Sequence, residues 1–185
     1  MMEGNEDRSL LLLYPMNAET QIQAVTHKME ELISAEPGLF LVEVKVKPTN
    51  NIKVFIDGDQ GVSIEKLVQY NRKLYKEIEE SNMYPNGDFS LEVSSPGLDE
   101  PLKLHRQYLK NIGRYVEVTD KEGTQKEGKL ISATEAEIIV EEIKARLTGK
   151  NKKKEGGQGK GKKMETVQHN IPFENIKMTK IQIKF

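Results

Sequence analysis

The chain has 185 residues with no cysteine and no tryptophan, 31% charged and 36% hydrophobic side chains, a length that suits two small domains or one medium one. The missing cysteines exclude disulfide and thiolate chemistry and suit a reducing compartment, and the few aromatics argue against a large aromatic-lined ligand pocket. The formal charge of −1 is a near-cancellation of unlike halves: residues 1–103 carry 10 Lys/Arg against 18 Asp/Glu and residues 104–185 carry 18 against 11, an asymmetry that points to a polyanionic partner such as nucleic acid.

Residues 10–16 form an apolar run with Glu3, Glu6 and Asp7 ahead of it. A signal peptide needs a positive leader, and a membrane span needs about 20 apolar residues. The run fits neither, so residues 1–17 read as an N-terminal extension outside the folded domains. From residue 19 to 35 the positions Ile22, Val25, Met29, Leu32 and Ile33 trace one stripe at helical period, and Pro37-Gly38 stops the helix. Strict alternation follows, with Val42, Val44 and Val46 expected on one face of a strand and Glu43, Lys45 and Lys47 on the other. Ile52, Val54 and Ile56 alternate again after a turn at 48–51, which predicts a hairpin. Ser63 is placed to cap a second helix whose buried face is expected to be Ile64, Leu67, Val68, Leu74, Tyr75 and Ile78. Pro85 and Gly87 break it, and Phe89, Leu91 and Val93 predict a third strand. The order helix, strand, strand, helix, strand predicts an α+β layer with helices on one face of a sheet, over residues 18–98.

A connector at 99–112, with a turn or two of helix between 102 and 109, leads to an all-β region over 113–185. Val116 and Val118 alternate, 120–123 is turn-rich, Leu130-Ile131 opens a strand, and 135–137 turns before Ile138, Val140 and Ile143. Residues 172–175 suit a turn of tight helix, and Ile181, Ile183 and Phe185 predict a closing strand. Four or five short strands in this length predict a small barrel of the SH3 or Sm type. Residues 148–164 are rich in Gly and Lys, offer nothing to a core, and read as a disordered basic loop.

Residues 91–102, Leu-Glu-Val-Ser-Ser-Pro-Gly-Leu-Asp-Glu-Pro-Leu, resemble the domain-junction signature of the ribosome maturation factor RimP family. The likeness extends to Ile56-Asp57 followed by Gly61-Val62-Ser63-Ile64, to Gly113-Arg114-Tyr115-Val116, and to Ile171-Pro172-Phe173-Glu174-Asn175-Ile176, all in the family's order. The resemblance implies a KH-like N-terminal α/β domain and a C-terminal SH3/Sm-like barrel. It implies cytoplasmic action on the precursor of the small (30S) ribosomal subunit, with contacts to rRNA and, through the C-terminal domain, to ribosomal protein twelve of that subunit. It brings no catalytic residue, and no cofactor, metal, membrane or small-molecule substrate is expected. A monomer is expected. The rival reading is a free-standing Sm-like RNA-binding regulator, which would bind isolated RNA tightly and form rings through barrel edges.

Several patterns imitate chemical sites. Gly156 to Lys162 has the GxxxxGK outline, but Lys163 stands where a phosphate-binding loop needs Ser or Thr, and no strand or helix flanks it. Asp57 with Asp59, and Asp99 with Glu100, lie in Gly- or Pro-containing turns where exposed acids are ordinary. His27, His105 and His169 share no ligand spacing. Ser94 and Ser95 lack a nucleophile elbow, and read with Pro96, Gly97 and Leu98 as a junction turn in which Pro96 fixes φ and Gly97 permits a positive φ. Gly58-Asp59-Gln60-Gly61 carries an acid and no lysine, unlike a GXXG loop that clamps RNA, so the acidic first domain is expected to meet protein or to be oriented away from rRNA. The functional candidates are therefore Lys150, Lys152, Lys153, Lys154, Lys160, Lys162 and Lys163, which can track a phosphate backbone by counterion release with little sequence preference. No aromatic interleaves them, so base stacking is not expected from that segment.

Overall fold

The computed structural model describes residues 17–145 and 164–183, and the chain divides into two compact units, Met1–Pro96 and Gly97–Phe185. Among the described residues no helix is long and apolar enough to cross a membrane.

The first unit orders α1 (Ala18–Ile33), β1 (Leu39–Val46), β2 (Asn51–Gly58), α2 (Ile64–Glu80) and β3 (Ser90–Ser94). Asn17 caps α1 by accepting the Thr20 backbone N–H at 2.8 Å, and Ser63 caps α2 by accepting that of Lys66 at 3.3 Å. Each cap satisfies a donor the helix itself leaves unpaired. β1 and β2 pair antiparallel, while β3 runs parallel to β2, so the sheet order is β1-β2-β3. Val25, Met29 and Ile33 of α1 and Tyr70, Leu74 and Ile78 of α2 pack on one sheet face with Ile52, Val54, Ile56 and Val93.

Two expectations for this unit change. A register shift between Leu41 and Glu43 puts Val42 in a β-bulge. The extra residue switches the parity of the strand, so the residues reaching the core are Leu39 and Leu41 before the bulge and Val44 and Val46 after it. In α2 the buried stripe is Leu67, Tyr70, Leu74 and Ile78, whereas Ile64 is 74% exposed and Val68 44%. The sheet has three strands and ends at β3. The helix flank that overhangs this edge therefore has less to pack on.

The turn between α1 and β1 is tied to α2 through Glu36. Its carboxylate accepts the Tyr70 hydroxyl at 2.7 Å and pairs with the Lys66 ammonium. Those two hydrogen bonds, Lys66 first, hold Glu36 below the usual carboxylate range. Burial, then the Glu36 carboxylate, pushes the Tyr70 hydroxyl up to about 12. At the end of β2, a Cβ on Gly58 would sit 2.4 Å from the Gly61 carbonyl oxygen, and Gly61 has φ +83°. Both glycines thus serve a tight turn. Asp57 beside them is buried, not the exposed turn acid expected, and its Oδ1 accepts the Gly58 N–H at 2.8 Å.

The second unit opens with α3 (His105–Lys110) and continues as β4 (Tyr115–Asp120), β5 (Gln125–Ala133), β6 (Glu137–Ala145), β7 (Met164–Pro172), a 3-10 turn (Phe173–Asn175) and β8 (Ile176–Ile181). Leu104, which precedes α3, has no polar side chain; Gln107 reaches back instead, accepting the Lys103 and Leu104 N–H groups at 2.8 and 3.1 Å. The sheet order is β7-β6-β5-β4-β8, all antiparallel. Four strands meander and the fifth returns beside the first, the pairing order of SH3 and Sm barrels. Val116, Val118, Leu130, Ile138, Val140 and Ile171 form its core, and Tyr108 of α3 belongs to it.

Two boundaries differ from expectation. β7 begins at Met164, inside the stretch read as loop. β8 ends at Ile181, leaving Ile183 outside the strand and 56% exposed; Phe185 lies outside the described residues.

Candidate nucleic-acid interface

β6 pairs with β5 only as far as Lys129↔Glu141, but with β7 it continues to Ala145↔Met164. The last four residues of β6 and the first four of β7 therefore form a two-stranded arm beyond β5. At the point of departure the two strands pass unusually close. A Cβ on Gly128 would lie 2.4 Å from the Glu141 carbonyl oxygen and 2.8 Å from Val140 Cγ1, so only glycine lets β6 pass at that distance.

The inward positions of β6 change character along the arm. Ile138 and Val140 are fully buried, and Glu142 and Lys144 follow at the same parity. Glu142 Oε2 lies 2.8 Å from His169 Nε2 and 3.1 Å from Lys144 Nζ. The His169 hydrogen bond, then that of Lys144, holds the carboxylate below its ordinary range. Lys144 is the first of nine basic residues in 144–163, a stretch with the single acid Glu155. Ala145 and Met164, which flank residues 146–163 in the chain, are paired at the tip of the arm. Lys150, Lys152, Lys153, Lys154, Lys160, Lys162 and Lys163 themselves, like the GxxxxGK pattern, lie outside the described residues.

The junction residues fall where the two units divide. Ser94 closes β3, Ser95 and Pro96 end the first unit, and Gly97 and Leu98 begin the second. The Gly97 carbonyl accepts the Glu100 N–H at 3.1 Å. Gly97 does not have the positive φ expected of it, and a Cβ there would meet nothing within 4 Å. Leu98 is 43% exposed.

A feature that sequence reading missed lies on the second unit. α3 and the residues before it, the β5–β6 turn, and the 3-10 turn with the start of β8 enclose a pocket of about 360 Å³. Phe173 meets Tyr108 edge-to-face at 5.0 Å and His105 at 6.0 Å. Burial pushes the Tyr108 hydroxyl up. His105 Nδ1 lies 3.4 Å from the exposed Glu135 carboxylate, while its Nε2 is buried with no hydrogen-bond partner. Exposed Lys103 and Lys177 complete the lining. Each histidine has one carboxylate neighbour, Glu31 for His27, Glu135 for His105 and Glu142 for His169. Among the described residues no three His, Asp or Glu side chains gather as metal ligands.

Comparison with known sequences settles the lineage. The sequence model for the RimP N-terminal domain matches residues 29–99. A ribosome maturation factor RimP of Christiangramia forsetii is 35% identical over 158 residues, which is 84% of this chain and 94% of that protein. The chain belongs to the RimP family. The RimP of Flavobacterium psychrophilum is 34% identical over 80% of this chain and 86% of its own length. That of Cytophaga hutchinsonii is 34% identical over 68% and 77%. The RimP domain match begins within α1 and ends just past the junction residues, so it takes in the whole three-stranded sheet. The Christiangramia alignment is more than twice as long as that match, so the RimP likeness extends beyond the first unit.

Proposed function

We propose that this chain promotes maturation of the small ribosomal subunit by binding its precursor in the cytoplasm, as a monomer that performs no bond-making chemistry. The observation that carries the reading is the 84% of the chain aligned with a ribosome maturation factor, covering 94% of that relative. In this reading the KH-like module of residues 18–98 and the barrel of 113–185, joined by the 99–112 connector, act as docking surfaces. The seven lysines from Lys150 to Lys163 contact rRNA phosphates. The barrel meets ribosomal protein twelve of the small subunit, and the acidic first module favours a basic protein partner by electrostatic complementarity. Binding accelerates maturation by population shift, and only as far as the factor binds the mature-like arrangement better than the immature one.

The experiment is depletion of the protein followed by gradient profiling of ribosomal particles. Accumulation of immature small subunits is expected, and a normal profile at all growth temperatures overturns the reading. The Sm-type strand order favours one alternative, an RNA-binding regulator outside the ribosome. That alternative predicts ring-sized particles and tight binding to isolated RNA. The maturation reading predicts a monomer that binds small subunits and holds naked RNA weakly.

A further inference from the structure

We propose that the pocket formed by Phe173, Tyr108, His105 and Glu135, with Lys103 and Lys177 at its edge, receives a single unpaired RNA nucleotide, base inside and phosphate outside. The inference takes from the reading above that RNA is the partner, and adds a site to it.

Three properties of the pocket point to this ligand. Its volume of about 360 Å³ lies near the bottom of the ~300–1,000 Å³ of small-ligand sites, which is room for one nucleotide and not for a strand. Its wall is aromatic, with Phe173 edge-to-face against both Tyr108 and His105, and every base offers a π-face to such a wall. Its polar groups are arranged for a ligand with a charged end and an edge rich in donors and acceptors. Lys103 and Lys177 supply positive charge at exposed positions, and Lys177 has no ion-pair partner among the described residues. The Glu135 side chain is 92% exposed and able to turn. A base edge offers hydrogen-bonding groups to the Glu135 carboxylate, and an apolar peptide side chain offers none. The pocket therefore does what the lysine-rich segment does not, because counterion release is indifferent to whether a base is present.

That difference defines the test. Short single-stranded RNA oligonucleotides and an abasic oligonucleotide of equal length are titrated into the full chain at one salt concentration, while the aromatic resonances of His105, Tyr108 and Phe173 are followed. The expected result is affinity about fivefold or more higher for at least one base-containing RNA than for the abasic one, with the three rings shifting only for the former. Phe173→Leu should bring the ratio to about one. Lys177→Glu, which leaves the aromatic wall intact, should weaken both ligands alike. If Phe173→Leu fails to fold, His105→Ala serves in its place. A wild-type ratio near one overturns the proposal, as does a ratio that survives the aromatic substitution. So does a pocket whose resonances move with small-subunit proteins and not with RNA, which would make it a peptide site. None of these outcomes bears on the gradient profile after depletion, so the two readings stand or fall separately.

Discussion

Replacing Gly128 by alanine tests the steric account of the β6–β7 arm. The added Cβ would lie 2.4 Å from the Glu141 carbonyl oxygen, where ordinary contact begins at 3.4 Å, so the strands must separate locally by about 1 Å. Separation on that scale breaks a cross-strand hydrogen bond beside Lys129↔Glu141, at about 1 kcal/mol. Residual crowding against Val140 adds about 1–3 kcal/mol. The loss of glycine's freedom in the unfolded chain returns ~0.4–1 kcal/mol. The net expectation is a destabilisation of about 2 kcal/mol, confined to the second unit. At ~4–8 °C per kcal/mol for a domain of this size, its melting transition falls by about 8–16 °C. Differential scanning calorimetry of the full chain reads this directly, with Gly97→Ala as the control. That position has open space and no positive φ, so its transition should hold steady or rise slightly. A Gly128→Ala protein as stable as the parent would mean that β6 does not pass β5 at the stated distance, and the account of where the arm departs would fail with it.

Four other perturbations have defined outcomes. Tyr70 titrates near 12 in the folded chain against an ordinary 10, so its contribution is complete below pH 10 and disappears as pH rises through about 12. Urea midpoints measured across that window should fall in the parent and flatten in Tyr70→Phe. Glu36 has the opposite sign: its depressed pKa contributes stability above the unfolded carboxylate value that is lost as pH falls through the folded one, and Glu36→Gln should remove that part of the acid limb. Ser63→Ala should cost about 1 kcal/mol by loss of the cap on the Lys66 N–H, read as a shifted denaturation midpoint at unchanged slope. Exchanging the seven lysines between Lys150 and Lys163 for glutamine should reduce the slope of log affinity for RNA against log salt by about 0.7 for each phosphate no longer neutralised, at most about 5; an unchanged slope would remove them from the interface.

Local grammar in the sequence was enough for most of the elements, because period and turn chemistry are properties of neighbouring residues. Asn17 and Ser63 begin their helices as their side chains dictate, and the tight turn at Phe173–Asn175 follows a proline whose φ is preset. Apart from the positive φ expected at Gly97, the main failures are non-local. Ile64 and Val68 fit a helical stripe as well as Tyr70 does, and only the width of the sheet decides which of them is covered. The bulge at Val42 depends on register with β2. β7 was concealed because its inward position opposite Val140 carries His169, where a buried strand would carry an aliphatic residue. The pocket was invisible for the same reason. It joins three segments separated by some thirty residues each, and none has a motif of its own. The lysine cluster, by contrast, was plain from composition alone, and the structure adds the paired residues, Ala145 and Met164, that anchor the stretch of chain containing it.

On the proposed reading, that anchoring bears on how the factor discriminates. A binding protein shifts a conformational equilibrium only by the difference in its affinity for the two states, and moving one from 1:99 to 99:1 takes ~5.5 kcal/mol of difference. Lysines that release counterions bind folded and unfolded rRNA nearly alike, so they raise occupancy and contribute little to selection. Discrimination must come from contacts that depend on shape, such as a base that is free to enter a pocket in one state and stacked away in the other. The seven-lysine variant should therefore bind immature and mature small subunits more weakly by the same factor, leaving the ratio of the two affinities unchanged, whereas Phe173→Leu should change the ratio with little effect on the salt slope. Sedimentation binding assays on both particles, at two salt concentrations, separate the cases. If neutralising the lysines abolished the preference itself, selection would reside in the arm's electrostatics, and the division of labour between charge and pocket would be wrong.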